Sequence, residues 1–264
     1  MTFNAYGVRV GVRVSVRSAL ERVLERLPPG WKPARSAVVS RLYSLIAGGD
    51  GPRRGVRRLS LLYADAVRLA RSRDVGEVLD AFETDLQLYV AEASPRRLFV
   101  HAGVVGWRGR AIIMPGRTFT GKTSLVAALV KAGATYYSDE YAVLDARGRV
   151  HPYARPLGIR ERGALEKAKR YPVEAFGGRP GVRPLPVGLV IVSEYKAGAR
   201  WRPRQLSAGK GALAVLAHTV SARRQPEVAL RTLQQFISRT PVLKGVRGEV
   251  EQVVDFVVKT LGDR

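Results

Sequence analysis

From Gly7 to Ser15 the chain reads GVRVGVRVS, with Val alternating against Arg, Gly or Ser. A period of two marks a strand with one face toward a core. Over Val16 to Leu27 the period changes. Leu20, Val23, Leu24 and Leu27 recur at helical spacing, and Pro28-Pro29 ends the segment. Ala37 to Ala47 and Arg58 to Tyr63 read as short strands separated by the Gly48-Gly49-Asp50-Gly51-Pro52 turn or loop. Asp74 has the chemistry of a helix N-cap, and Val75, Val78, Leu79, Phe82, Leu86 and Val90 form the apolar stripe that follows it. These elements predict a small α+β region over residues 1–95.

The character changes at Leu98. Leu98 to Val105 (LFVHAGVV) is an apolar strand, Gly106-Trp107-Arg108-Gly109 supplies turn residues, and Arg110 to Met114 is a second strand. This hairpin runs straight into a glycine-bounded loop. Ser124 to Lys131 is an amphipathic helix closed by Gly133. Ala134 to Tyr137 is a short strand ending in Ser138-Asp139-Glu140. Tyr141 to Leu144 continues extended, and Asp145-Ala146-Arg147-Gly148 is a turn. Val187 to Tyr195 reads as a buried strand; Leu206 to Val220, Glu227 to Ser238 and Glu249 to Leu261 read as helices. Residues 96–264 are thus expected to form a second domain. The fold class is α/β with a mixed α+β sheet, because a doubly wound domain would reach such a loop from a βαβ crossover, not from a hairpin. There are no internal repeats and no low-complexity tract.

Composition narrows the class. The 264 residues are 46% hydrophobic and 25% charged, which excludes whole-chain disorder. No run of about eighteen apolar residues exists, so no membrane-spanning helix is expected. The first residues carry Arg every few positions and no apolar segment, unlike a secretory signal. The lack of cysteine excludes disulfides, thiolate zinc sites and cysteine nucleophiles, and makes the cytoplasm the expected compartment.

Charge adds a question. Lys and Arg number 45 against 22 Asp and Glu, a net +23, and 36 of the 45 are Arg. Such a field attracts polyanions, including nucleotides, nucleic acid and acidic headgroups. Arg53, Arg54, Arg57 and Arg58 form one basic stretch; Arg200, Arg202 and Arg204 around Trp201 form another. Neither belongs to a helix-turn-helix, zinc-finger or RNA-binding signature, so nucleic acid is a partner the charge permits and no motif favours.

The chemistry concentrates in Gly116-Arg117-Thr118-Phe119-Thr120-Gly121-Lys122-Thr123, a full match to G-x-x-x-x-G-K-[ST] between a strand and a helix. Gly116 and Gly121 allow backbone N–H groups to turn inward. Lys122 is placed to reach the β and γ phosphates, and the Thr123 hydroxyl suits Mg²⁺. The helix start, including Ser124, directs its dipole and free N–H groups at an anion. Gly116 to Ser124 is therefore the candidate nucleotide-binding stretch. Asp139 follows Lys122 by 17 residues, after one helix and one short strand. A carboxylate there can hold Mg²⁺ or take a proton from an attacking hydroxyl, and Glu140 beside it is a second oxygen ligand. The alternative is an exposed acidic turn. His101, one hairpin earlier, is either a contact of the phosphoryl group or of Asp139, or a plain strand histidine. His151 and His218 have no partners legible in the sequence.

His101-Ala-Gly-Val-Val, the loop Gly116 to Thr123 and Ser138-Asp139-Glu140-Tyr141 together resemble the catalytic domain of HPr kinase/phosphorylase. They resemble still more its shorter bacterial relatives, which share the spacing, the S-D-E-Y continuation and a following Arg-Pro segment, here Arg155 to Ile159. The resemblance covers Leu98 to Ile159. It implies a phosphoenolpyruvate carboxykinase-like P-loop domain, ATP and Mg²⁺ as cofactors, and a homo-oligomer. Two features depart from the family: Glu140 replaces the second Asp, and Ile159-Arg160-Glu161-Arg162-Gly163 is only a loose echo of its E-[IV]-R-G-x-G segment. HPr itself is therefore not the expected substrate.

The function expected is an ATP-dependent kinase transferring the γ-phosphoryl group to a serine hydroxyl of a peptide or protein, or to a small-molecule alcohol. In that reading Lys122 neutralises phosphate, and Thr123 with Glu140 and Asp139 supplies metal ligands. Asp139 is the base, while Arg155, Arg117 or His101 stabilises transferring charge. The rivals are a nucleotide-binding regulatory ATPase without an acceptor and a polynucleotide 5′-hydroxyl kinase.

Overall fold

The computed structural model describes residues 1–48, 58–116, 120–159 and 169–262. The chain divides into two compact units, Met1–Arg96 and Arg97–Arg264.

The first unit is one sheet covered by two helices. Its elements are β1 (Thr2–Ala5), β2 (Val8–Val14), α1 (Ser18–Leu24), β3 (Lys32–Pro33), β4 (Arg41–Ile46), β5 (Ser60–Ala64), β6 (Val67–Ser72) and α2 (Val75–Ala93). The strand order is β3-β1-β2-β4-β5-β6, with only β2 and β4 parallel. The alternation seen in GVRVGVRVS puts Val8, Val10 and Val12 in the core. The Asp74 carboxylate accepts from Gly76 N–H at 2.7 Å, and Val78, Leu79, Phe82, Leu86 and Val90 of α2 are buried. The helix expected over Val16 to Leu27 is shorter, and the strand expected from Ala37 begins only at Arg41. β1 and β6 were not anticipated. Gly49 to Pro52, Arg53, Arg54 and Arg57 lie outside the described residues.

The second unit holds β7 (Leu98–Trp107), β8 (Arg110–Pro115), α3 (Lys122–Lys131), β9 (Thr135–Ser138), β10 (Tyr141–Leu144), β11 (Arg149–His151), β12 (Leu157–Ile159) and β13 (Lys169–Tyr171). After a 3-10 turn at Val173–Phe176 come β14 (Leu185–Tyr195), β15 (Arg204–Gln205), α4 (Ala208–Leu216), α5 (Pro226–Ile237), β16 (Val242–Arg247) and α6 (Glu251–Gly262). Its main sheet runs β11-β10-β7-β8-β14-β16-β15, and β11 also returns to pair β14. The sheet is mixed. β7 and β8 are antiparallel, while β8, β14 and β16 are parallel to one another.

Both faces of this sheet are covered, so its strands read as unbroken apolar runs. Ala111 and Ile113 pack with Val215, Leu233 and Phe236 from α4 and α5. Ile112 and Met114 pack on the other side with Leu125, Val126, Leu129, Val253 and Val257 from α3 and α6. The hairpin turns at Arg108 and Gly109, both at positive φ (46° and 75°), the two-residue geometry that matches strand twist. The helix expected over Leu206 to Val220 stops at Leu216. Its successor segment instead bonds to β7, with Val220 N–H donating to Phe99 O at 2.9 Å and His218 O accepting from His101 N–H at 2.8 Å.

Candidate functional site

β8 delivers the chain to Gly116, whose N–H donates to the His101 carbonyl on the neighbouring strand at 3.2 Å. Arg117, Thr118 and Phe119 lie outside the described residues, as do Arg160 to Gly163 of the later segment. Thr120 and Gly121 then lead into α3. Gly121 is left-handed (φ +76°), and no side chain caps the helix start. Ser124 is exposed in its first turn. Lys122, the first helical residue, is half-buried and folds back so that Nζ donates to the Gly116 carbonyl at 2.8 Å. The two ends of the G-x-x-x-x-G-K stretch are thereby tied together. Burial pushes the Lys122 pKa down, while the charges of Glu140 and Asp139 oppose that fall.

Asp139 stands beside this helix start. β9 is antiparallel to β7, with Val104 opposite Ser138, and the chain bends immediately afterwards. Ser138 fixes the bend: its buried Oγ accepts from Glu140 N–H at 3.1 Å and from Tyr141 N–H at 2.9 Å. Thr123 Oγ1 consequently lies 3.4 Å from Asp139 Oδ2. The other carboxylate oxygen receives Tyr136, whose hydroxyl is 2.9 Å from Asp139 Oδ1 and 2.8 Å from the Arg155 carbonyl. That hydroxyl has one proton for two acceptors. Burial raises the Asp139 pKa above the usual carboxylate range. The Tyr136 hydrogen bond opposes the rise, the Glu140 charge adds to it, and a bond from the Gly158 backbone opposes it again.

Glu140 pairs with His101. His101 Nε2 is 3.4 Å from Glu140 Oε1, so the histidine stands with Glu140 and not with Asp139. Arg155 is half-buried and enters the local network through its carbonyl, on the segment that leads into β12. His151 has a partner the sequence did not disclose, Asp145, with Nε2 to Oδ2 at 2.9 Å.

Sequence reasoning missed two residues of this neighbourhood. One is Tyr136. The other is Arg247, at the end of β16. Its guanidinium is buried (2% exposed), and Nη2 donates to the carbonyls of Thr120 (3.1 Å) and Gly121 (2.9 Å). Nη1 donates to Gly248 O at 3.2 Å, and Nε has no hydrogen-bond partner among the described residues. Desolvation lowers its pKa, against the nearby Tyr195 and Glu249. The parallel register of β8, β14 and β16 brings this residue to the loop, because the three strands end on the same side.

Among the described residues no group of three or more His, Asp and Glu side chains is arranged to hold a metal unaided. Thr123, Asp139 and Glu140 offer one hydroxyl and two carboxylates. Such an all-oxygen donor set fits a Mg²⁺ that keeps waters and takes its remaining ligands from phosphates. Among the described residues no helix is long and apolar enough to cross a membrane.

No family model and no curated protein sequence matches the chain. Among solved structures it is similar to the HPr(Ser) kinase/phosphatase from Coxiella burnetii, at 14% identity and a TM-score of 0.33, covering 62% of this chain and 93% of that one.

Proposed function

We propose that the protein is an ATP-dependent kinase that moves the γ-phosphoryl group of ATP onto a hydroxyl, either of a serine in a peptide or protein or of a small alcohol. The observation that carries this reading is the 3.4 Å separation of Thr123 Oγ1 and Asp139 Oδ2 at an uncapped helix start. It brings a carboxylate to the place where a phosphate would meet Gly121, Lys122 and Thr123.

In this reading the backbone N–H groups at the start of α3 and the Lys122 ammonium hold the phosphates. Mg²⁺, held by Thr123 with Glu140 and Asp139, supplies charge neutralisation when bound. Asp139 accepts the proton of the acceptor hydroxyl, and its raised pKa favours that role. The acceptor oxygen forms a bond to phosphorus as the bond to the ADP oxygen breaks. Arg155 and His101 balance charge on the transferring group. Carboxylate chemistry at this point separates a transferase from a protein that only binds nucleotide.

The test uses the full chain with γ-labelled ATP and size-fractionated peptides and metabolites. Label should pass to an organic acceptor. Lys122→Ala should lose ATP binding; Asp139→Asn should retain it and transfer label at least about 100-fold more slowly. Release of free phosphate with no labelled acceptor, or an Asp139→Asn variant of full activity, defeats the kinase reading.

A further inference from the structure

The second unit has a concave site at the opposite end of β8 from Gly116. β8 is six residues long, so Arg110 at its start is about 17 Å along the strand from the Gly116 end. A cavity of about 210 Å³ opens there, and Arg110, Arg147, Arg149 and Arg239 all line it. No acidic residue lines it. Among the described residues none of the four guanidinium groups forms an ion pair. From this geometry we infer that the cavity is a second anion-binding site, taking a small phosphate-bearing anion of about diphosphate size.

All four arginines are exposed, and four like charges lining one concavity give it a positive potential that an anion relieves. Guanidinium forks also match phosphate oxygens better than an ammonium does. Finally, the volume suits one or two phosphate groups and is below the roughly 300–1,000 Å³ of pockets that enclose a drug-sized ligand.

The arginines are also held. Arg149 Nη2 donates to Pro184 O at 2.8 Å, and Arg239 Nη2 donates to Gln235 O at 2.6 Å, leaving their other N–H groups for a ligand. Asp145 Oδ1 accepts from the backbone N–H groups of both Arg147 (2.9 Å) and Arg149 (3.0 Å). Between them Gly148 is left-handed (φ +72°) and pressed against α5, where a Cβ would stand 2.9 Å from Gln235 Cβ and 3.1 Å from Phe236. The backbone turn that presents two of the arginines is thus fixed in place before a ligand arrives, so the ordering cost of binding falls on the side chains alone.

This site is independent of the kinase reading, and its test keeps the two apart. Pyrophosphate binding is measured by calorimetry on full-length Lys122→Ala protein, in which the loop at Gly116 to Thr123 is disabled. One equivalent should bind, and the added pair Arg110→Gln and Arg239→Gln should weaken it at least tenfold. Displacement by orthophosphate or by a nucleoside triphosphate supports the site and ranks its sources. On the unmutated protein, pyrophosphate should protect Arg110, Arg147 and Arg239 from phenylglyoxal, read by mass spectrometry; this needs no variant to fold. No binding to the Lys122→Ala protein, an unchanged affinity in the arginine variant, or no protection overturns the proposal. So does binding of an oligonucleotide at these arginines while pyrophosphate stays inert.

Discussion

The guanidinium of Arg247 occupies the space that a Cβ on Gly121 would need, and it donates to the Gly121 carbonyl at 2.9 Å. The same carbonyl accepts the first helical bond of α3, from Leu125 N–H at 3.2 Å. One backbone oxygen therefore joins the helix, the loop before it and the last strand of the parallel set. Gly121 is required twice over, once by its left-handed φ and once by the close approach of a buried cation.

Gly121→Ala should lower stability by about 1–3 kcal/mol, the usual cost of strained backbone at a non-glycine residue. Displacement of Arg247 should also weaken ATP binding. Urea unfolding and equilibrium ATP binding check both; an unmoved unfolding midpoint would refute the close packing.

Arg247→Met keeps the apolar stem and removes the donors to Thr120 and Gly121. Hydrogen bonds from a charged group are worth about 1.5–3 kcal/mol, so ATP affinity should fall by about tenfold or more if they preorganise the loop. Global stability should move little, because the substitution also removes a desolvated cation. Equal losses in binding and in urea stability would make Arg247 a structural residue only.

Asp145 provides a pH signature. Burial alone would raise its pKa, but the His151 hydrogen bond and the N–H groups of Arg149 and Arg147 outweigh that and hold it below the usual range. A lowered folded pKa means stabilisation that is present above the unfolded value of about 3.9 and lost as pH falls through the folded one. Asp145→Asn keeps an acceptor oxygen and loses the charge. It should melt slightly lower than the parent protein at pH 7, with the gap closing in strong acid. Melting curves across pH decide it, and a gap that widens in acid would reverse the assignment.

In the first unit Glu83 is buried at 2% exposure and takes Arg26 Nη1 at 2.8 Å, while the same nitrogen meets Asp80 at 2.6 Å. Glu83 is buried, but the Arg26 side chain is 20% exposed and Glu83 keeps Gln87 Nε2 at 3.4 Å, so the pair is only part-buried. Arg26→Met should cost about 1–3 kcal/mol, and adding Glu83→Leu should recover part of it. Denaturant unfolding of the single and double variants measures the coupling; additive losses would show that the pair is not coupled.

The periodicity of particular segments was enough to locate several elements. The Leu98–Trp107 and Arg110–Pro115 hairpin, α2 with its Asp74 cap and the buried β14 all stand where alternation, helical spacing or an unbroken apolar run placed them. β16 shows why others were missed. In VLKGVR Val242 and Leu243 are buried as their polarity suggests, but further along Val246 is exposed (42%) while Arg247 is buried, the inverse of what polarity suggests. Tertiary hydrogen bonds to loop carbonyls reverse the usual preference there. Tyr136 was likewise unreadable, since its hydroxyl finds Asp139 and Arg155 only after β9 has paired with β7.

By itself the sequence determined the short-range facts: a glycine-bounded loop between a strand and a helix, an acidic pair one helix and one strand later, and a strongly cationic chain. These depend on spacing along the backbone and on residue chemistry, which local sequence carries. Only the tertiary structure decided which carboxylate meets Thr123, that His101 stands with Glu140, that Arg247 lies under the loop, and that four arginines from β8, the Asp145 turn, β11 and the end of α5 share one concavity. Those relations join residues up to 127 positions apart. They are set by strand register and by the packing of both sheet faces, quantities that no local pattern contains.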